Sequence, residues 1–471
     1  MADVKLLPED GQVMYFEQFY LGCLAHASYA LGSHGVAAVV DPQRDIEIYL
    51  KAANEHGLKI AHIFETHLHA DFVSGHKELA QRTGAKIYIG ERAGARFPHV
   101  GLRDGFSLQY GDVEIRALET PGHTPESTCL VVYDREKSAV TPWAVLTGDT
   151  LFIGDVGRPD LAEGHTPQQL AGSLYDSLHQ KLLNLPDEVL VYPAHGAGSL
   201  CGRNMRAERF STIGTERLTN SALLINSRDD FIRELTSKLP PRPQYFAEDA
   251  AINREGADAL QDLPSISALE PDAVREAQAH GFVVLDTRPG DEFARGHIPG
   301  SVNIGLGGQF ASWAGTVLGL GARIILVAES GEKAAEARMR LARVGIEHVI
   351  GYVNSGVRGW EEAGNSLARI PQIPAAHLRE RLEQLTVLDV RRESEWQAGH
   401  IEGAHWHALD DFPQALPGLD RDAPIAVHCK SGYRSIIAAS LLRRAGFHNI
   451  TDVLGGFDAW LAESSSAVAL K

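Results

Sequence analysis

Cysteine is scarce in this sequence: Cys23, Cys129, Cys201 and Cys429 are the only four in 471 residues. Thiols so few and so scattered cannot build a disulfide framework, and a reducing compartment is the natural expectation. Positive charge is also short. Lys and Arg number 44 against 61 Asp and Glu, a formal net charge of -17. That argues against a nucleic-acid partner, although a local Arg or Lys can still bind a small anion. No apolar run approaches the ~18 residues that span a bilayer. The opening Met1-Ala2-Asp3-Val4-Lys5 lacks the basic and apolar regions of a signal peptide. A cytoplasmic protein with neither a membrane nor a nucleic-acid partner is expected. What remains is ordinary globular material, 44% hydrophobic and 22% charged, in a chain long enough for about two to four domains.

The first part of the chain, residues 1–260, alternates short apolar strands with helical segments. The patterning predicts a strand over 37–41, a helix over 46–56, a strand over 59–65 and a helix over about 73–82 ended by Gly84. Polar clusters fall just past the strands, the place where α/β folds expose chemistry on a rigid frame. A Pro- and Gly-containing stretch leads to a linker near 260–267.

The remainder repeats itself after roughly a hundred residues. Leu285-Asp286-Thr287-Arg288 recurs as Leu388-Asp389-Val390-Arg391, and Gly296-His297-Ile298-Pro299-Gly300 as Gly399-His400-Ile401-Glu402-Gly403. Ser355-Gly356-Val357-Arg358-Gly359-Trp360 recurs as Gly455-Gly456-Phe457-Asp458-Ala459-Trp460. Three motifs in one order imply two tandem α/β domains, 265–366 and 374–471.

Chemistry concentrates first in Thr66-His67-Leu68-His69-Ala70-Asp71-Phe72, then in Thr120-Pro121-Gly122-His123, Leu146-Thr147-Gly148-Asp149 and Tyr192-Pro193-Ala194-His195. In order and type these segments resemble the metallo-β-lactamase superfamily, whose loop reads H-x-H-x-D-H; here the last position is Phe72. Within it the chain is most similar to the persulfide dioxygenases, relatives of glyoxalase II, through Glu65-Thr66-His67, residues 120–127 and residues 149–158. The resemblance implies an αββα sandwich and one Fe(II) per domain, held by His67, His123 and Asp149. Two imidazoles and a carboxylate leave positions open for O2 and a substrate sulfur. The same ligand set also suits zinc or manganese. Phe72 removes a ligand of a second metal, which leaves His69, Asp71 and His195 as groups that orient ligands or substrate. His76, one turn further on, is expected on a helix surface. Arg158 matches an arginine that the family places near its substrate; an ion pair with Asp155 or Asp160 is the alternative. Cys201 stands beside the pocket or is a buried thiol, whereas Cys23 and Cys129 read as core.

In the second repeat, His428-Cys429-Lys430-Ser431-Gly432-Tyr433-Arg434-Ser435 follows the apolar strand Ile425-Ala426-Val427. It resembles the rhodanese signature C-x-x-G-x-R-S. Backbone N–H groups of such a strand-to-helix loop converge on an anion, and with Arg434 they favour a thiolate at Cys429. Lys430, Ser431, Gly432 and Tyr433 complete the cradle. The C-x4-R spacing favours sulfur transfer over phosphate hydrolysis, which uses C-x5-R. In the first repeat, Ala328 takes the cysteine position, Lys333 that of Arg434 and Ala334 that of Ser435. That copy is expected to be catalytically dead.

The whole chain therefore resembles fusions of a persulfide dioxygenase with a degenerate and an active rhodanese domain. The implied substrates are a low-molecular-weight persulfide of the glutathione or coenzyme A type, O2, sulfite and thiosulfate, and a homo-oligomer is expected. Two alternatives stay open: a zinc thioesterase like glyoxalase II, and a sulfur-relay protein whose first domain only binds persulfide.

Overall fold

The computed structural model describes residues 5–6, 14–237 and 239–468; the reading of Met1-Ala2-Asp3-Val4 lies outside them. The chain divides into two units, Met1–Leu263 with Ala342–Gly345, and Pro264–Leu341 with Ile346–Lys471.

The first unit is built on two sheets. In one, Lys5–Leu6, Tyr15–Leu21, His26–Ser33, Val36–Val40, Lys59–Glu65, Lys86–Gly90 and Val100–Leu102 lie side by side in chain order. The other has the order Ser211–Thr212, Leu190–Pro193, Ala144–Gly148, Thr128–Asp134, Val113–Glu119 and Ser107–Tyr110. Phe16, Tyr29, Val40 and Phe64 from the first sheet share one core with Ile115, Leu130, Leu146 and Tyr192 from the second. The outer faces are covered by helices: Glu47–Glu55 and His76–Thr83 on the first sheet, Pro167–Gln180 on the second. Each sheet is thus buried on both faces, which is why His26–Ser33 is buried at every position instead of alternating. This is the expected αββα sandwich.

The helix expected over 73–82 begins later, at His76. The Ser74 hydroxyl donates to the Glu65 carboxylate at 2.7 Å, residues 73–75 are irregular, and Gly84 ends the helix at φ 74°. Cys23 also departs from expectation: it sits partly exposed in a turn between strands, not in a core strand, whereas Cys129 is buried.

The second unit holds two five-stranded parallel sheets of identical order. One runs Ser267–Leu269, Val349–Val353, Ile324–Val327, Val283–Asp286, Val302–Asn303. The other runs Gln372–Pro374, Ile450–Leu454, Ile425–His428, Thr386–Asp389, His405–Trp406. The central strands Ile324–Val327 and Ile425–His428 are buried throughout, as parallel strands between helices must be. Among the described residues no helix is long and apolar enough to cross a membrane.

Candidate active sites

Five strand ends of the first unit converge. Asp41 follows Val36–Val40, His67 to Asp71 follow Lys59–Glu65, His123 follows Val113–Glu119, Asp149 follows Ala144–Gly148, and His195 follows Leu190–Pro193. One candidate ligand atom each from His67, His123 and Asp149 lies within 4.8 Å of the others. The Nε2 atoms of His67 and His123 are 3.9 and 3.4 Å from Asp149 Oδ2. Atoms bound at about 2.1 Å to one ion would sit roughly 3.0–3.4 Å apart, so a small contraction would suffice.

Hydrogen bonding aims both rings inward. The Thr66 hydroxyl gives its proton to Asp41 Oδ2 at 2.8 Å and so accepts from His67 Nδ1 at 3.0 Å. His123 Nδ1 donates to the Arg158 carbonyl at 2.9 Å. Each Nε2 is left with a lone pair directed at Asp149. Burial, then the neighbouring rings of His69 and His123, holds His67 far below the ordinary His value, in the neutral form that ligates metals. His67 Nε2 and both Asp149 carboxylate oxygens are buried without a hydrogen-bond partner among the described residues, a costly state unless a cation joins them. Burial lowers His195, but Asp149 and Asp71 outweigh it and push the ring up to about 9. These carboxylates draw positive charge to this point, and the donor set fits a metal ion.

His69, Asp71 and His195 form a second trio, again within 4.8 Å, with His195 Nε2 3.4 Å from Asp71 Oδ2. Phe72 is 1% exposed; its ring lies 4.1 Å from that of His26 and 4.4 Å from that of His69, filling with carbon the place of a ligand. His76 is not on a surface. It is 1% exposed, packs on Phe97 and points Nδ1 at Glu65 Oε1 from 3.6 Å, because the start of its helix faces the site.

Sequence reasoning missed Asp41 and Glu65. Asp41, at φ 50°, accepts from Thr66 N at 2.7 Å and lies 3.1 Å from His69 Nε2, so it shapes the histidine loop. Burial, joined by the charge of Asp41, pushes the Glu65 carboxyl up. Nothing in its spacing marks Asp41, since a strand 25 positions away brings it to Thr66. Gly148 belongs to the same arrangement: at φ 52° a Cβ there would stand 2.5 Å from the Thr66 hydroxyl.

Arg158 makes the ion pair. Its Nε and Nη2 reach Asp160 at 2.7 and 2.8 Å, and Nη2 also reaches the Pro240 carbonyl at 2.6 Å; with 4% of the residue exposed, its guanidinium secures the loop after Asp149. Cys201 is buried, its sulfur within 4.8 Å of Asp149 and His195 ligand atoms. Burial, then Asp71 and Asp149, pushes the thiol far up.

In the second unit, Cys429 follows Ile425–His428 and precedes the helix Tyr433–Arg444. Gly432 N donates to the Cys429 sulfur at 3.1 Å, and Gly432 has φ 108°. Behind the loop, Phe457 N and Asp458 N donate to the carbonyls of Cys429 and Lys430 at 2.8 and 3.0 Å. A Cβ on Gly456 would collide with both carbonyls, which gives the Gly-Gly-Phe motif its physical reason. Cys429, Ser431, Tyr433 and Arg434 line a cavity of about 430 Å³, while the side chain of Lys430 is exposed. Arg434 does not stand alone: both of its Nη atoms reach Glu395, at 2.6 and 2.7 Å. Glu395, 39 residues earlier, carried no sequence signal.

The first repeat keeps the frame and loses the site. Its helix starts at Gly331, the position that matches Gly432, whereas Gly432 stands before its helix at φ 108°. Ala328 follows the strand, and Lys333 is spent on Glu336 at 2.8 Å.

The family model of the metallo-β-lactamase superfamily matches residues 21–195, and that of the rhodanese-like domain matches 270–363 and 374–463. A mitochondrial persulfide dioxygenase of Bos taurus is 30% identical over 235 residues, 49% of this chain and 82% of that protein. A hydroxyacylglutathione hydrolase of a Polaromonas species is 34% identical over 164 residues, 34% of this chain and 57% of that protein. A crystal structure of a metallo-β-lactamase from Staphylococcus aureus is 33% identical, with TM-score 0.67, covering 72% of this chain and 99% of that one. The chain is an enzyme and belongs to the persulfide dioxygenase family of the metallo-β-lactamase superfamily, here continued by two rhodanese-like domains.

Proposed function

We propose that the chain oxidises the persulfide of a low-molecular-weight thiol with O2 and, at Cys429, exchanges sulfane sulfur between persulfide, sulfite and thiosulfate. The first domain would span 1–260, the degenerate rhodanese 265–366 and the active one 374–471. The balance of the first step is RSSH + O2 + H2O → RSH + SO3²⁻ + 2H⁺. Fe(II), when bound, supplies the one-electron chemistry that lets O2 react with sulfur. His67, His123 and Asp149 would hold it, the two rings fixed by Thr66 and the Arg158 carbonyl. His69, Asp71 and His195 would orient substrate beside them, and Phe72 keeps the second position apolar. In the second step the sulfane sulfur on Cys429 passes to sulfite: Cys–S–S⁻ + SO3²⁻ → Cys–S⁻ + S2O3²⁻.

The observation that carries the reading is the buried His67–His123–Asp149 trio with its unpartnered inward atoms, in a chain similar to a persulfide dioxygenase. Oxygen uptake by the Fe(II)-loaded protein on adding glutathione persulfide, with sulfite released and both lost in His123→Ala, is the expected result. Silence with glutathione and coenzyme A persulfides alike would reject it. The likeness to hydroxyacylglutathione hydrolases, with the adjacent His69–Asp71–His195 trio, supports a second reading as a zinc thioesterase. Hydrolysis of an acylglutathione by zinc-loaded protein without oxygen uptake would favour it.

A further inference from the structure

The cavity that holds Cys429 is not made by its own repeat alone. Gly308, Gln309 and Trp313 of the repeat without a nucleophile form part of its wall. Tyr433, within the active-site signature, joins the two: its hydroxyl donates to the Gly305 carbonyl at 2.7 Å. Its ring lies so close to Gly308 that a Cβ there would collide with it. The segment Gly305-Leu306-Gly307-Gly308-Gln309 is itself held from behind. Arg340, on the helix Gly331–Ala342, reaches the carbonyls of Leu306 and Gly308 at 2.7 and 3.1 Å. A buried Arg fixing a glycine-rich segment against the nucleophile loop is more than packing requires, since an aliphatic side chain would fill the same space without ordering two carbonyls.

The content of the cavity bears on what enters it. At about 430 Å³ it has the volume of a small-molecule pocket rather than of an oxyanion cradle. Arg434 is committed to Glu395 through two hydrogen bonds. The other cation on the wall, Arg392, makes only a loose contact with Asp410, at 3.6 Å. The repeat without a nucleophile lines the cavity with Gly308, Gln309 and Trp313. A lining that combines a cation, an amide side chain and an indole suits an organic molecule that bears both amides and a carboxylate. On the far side of Tyr433 lies a larger cavity of about 640 Å³, lined by Asp291, Glu329 and Glu336 besides Lys333, a setting unfavourable to anions.

We propose that the repeat without a nucleophile is the substrate-selecting wall of the Cys429 site, and that Gln309 and Trp313 select a polar organic thiol, or its persulfide, over a small inorganic anion. This rests on the reading of Cys429 as a sulfurtransferase. The thiolate of Cys429 attacks the outer sulfur of R–S–SH; that S–S bond breaks, a new one forms at Cys429, and R–S⁻ leaves and takes a proton from water. The reverse path loads a free thiol.

The test uses the full chain with thiosulfate as donor and two acceptors, glutathione and cyanide, and reads the ratio of their kcat/KM values. Trp313→Ala should lower the glutathione-to-cyanide ratio by roughly tenfold, the scale of one lost side-chain contact, and Gln309→Ala should lower it less. Gln309→Trp, at an exposed position, should narrow the cavity and depress glutathione turnover selectively, keeping the test valid should Trp313→Ala fold poorly. Equal changes for both acceptors, or none, in the folded variants would overturn the proposal. A wild-type protein that transfers sulfur to neither acceptor would instead reject the sulfurtransferase reading.

Discussion

The two rhodanese-like repeats share a frame and differ in a loop. In each, an Asp at the end of a buried strand holds an Arg two residues on through its carboxylate: Asp286 with Arg288, Asp389 with Arg391. In each, that Arg also donates to a glycine carbonyl, Gly296 or Gly399, at 2.9 or 2.8 Å. In each, the following His stacks on an aromatic ring four residues earlier, His297 on Phe293 and His400 on Trp396. The duplicated motifs are thus the bolts of a fold and not of a reaction. Chemistry resides in what is not duplicated: the four-residue loop of Cys429, its Gly432 at positive φ, and the pairing of Arg434 with Glu395.

The strongest way to break this comparison is to exchange nucleophiles. Cys429→Ser should abolish sulfur transfer while oxygen uptake at the metal centre persists. Ala328→Cys in that background should restore nothing, because Gly331, which matches Gly432, already belongs to the helix and Lys333, in the place of Arg434, is held by Glu336. Stopped thiosulfate turnover with unchanged oxygen consumption is the expected pair of readings. Recovery of turnover by Ala328→Cys would show the loop to be irrelevant, and loss of both activities in Cys429→Ser would show that the two sites depend on each other.

A smaller effect tests the shared frame. Asp286→Ala and Asp389→Ala each strip a buried Arg of its partner, and breaking such a pair costs about 3–5 kcal/mol. Both carboxylates are fully buried, so the two costs should agree. Hydrogen exchange of the strands Val283–Asp286 and Thr386–Asp389 reports each repeat separately, which a single melting temperature of a multidomain chain does not. A loss confined to one of the two variants would mean that the repeats do not use their pairs alike.

Legibility followed the same division. Strand 59–65 was readable because apolar residues precede a polar cluster, and the repeat because three motifs return in order. His67, His123 and Asp149 could be named because the segments that carry them, each just past a strand, resemble those of a known family. Asp41 and Glu395 could not, for each meets its partner only through sheet or loop packing that no local pattern encodes. The same holds for Arg158: Asp160, two positions on, was a visible partner, but the Pro240 carbonyl that joins it is 82 residues away. His76 was misplaced because a helix start that turns into a site has the same sequence as one that faces water.

The finest contrast lies between Arg434 and its counterpart Lys333. Burial would raise the Glu395 carboxyl, but the hydrogen bonds and charge of Arg434 outweigh it and hold Glu395 below the usual carboxylate range. A carboxyl depressed in the folded state adds stability above its unfolded value of about 4.3 and loses it as pH falls through the folded one. The stability difference between the wild type and Glu395→Gln, followed by hydrogen exchange around Tyr433–Arg444, should therefore be constant from about pH 6 upward and shrink toward acid. Its size should be on the order of 1 kcal/mol, since the pair is only partly buried. Glu336, which Lys333 also depresses, sits at the surface with 42% of its side chain exposed, and Glu336→Gln should give no measurable difference at any pH. Equal pH profiles for the two variants would mean that burial does not separate the repeats at this position; a flat profile for Glu395→Gln would mean that its ion pair contributes nothing to holding the loop.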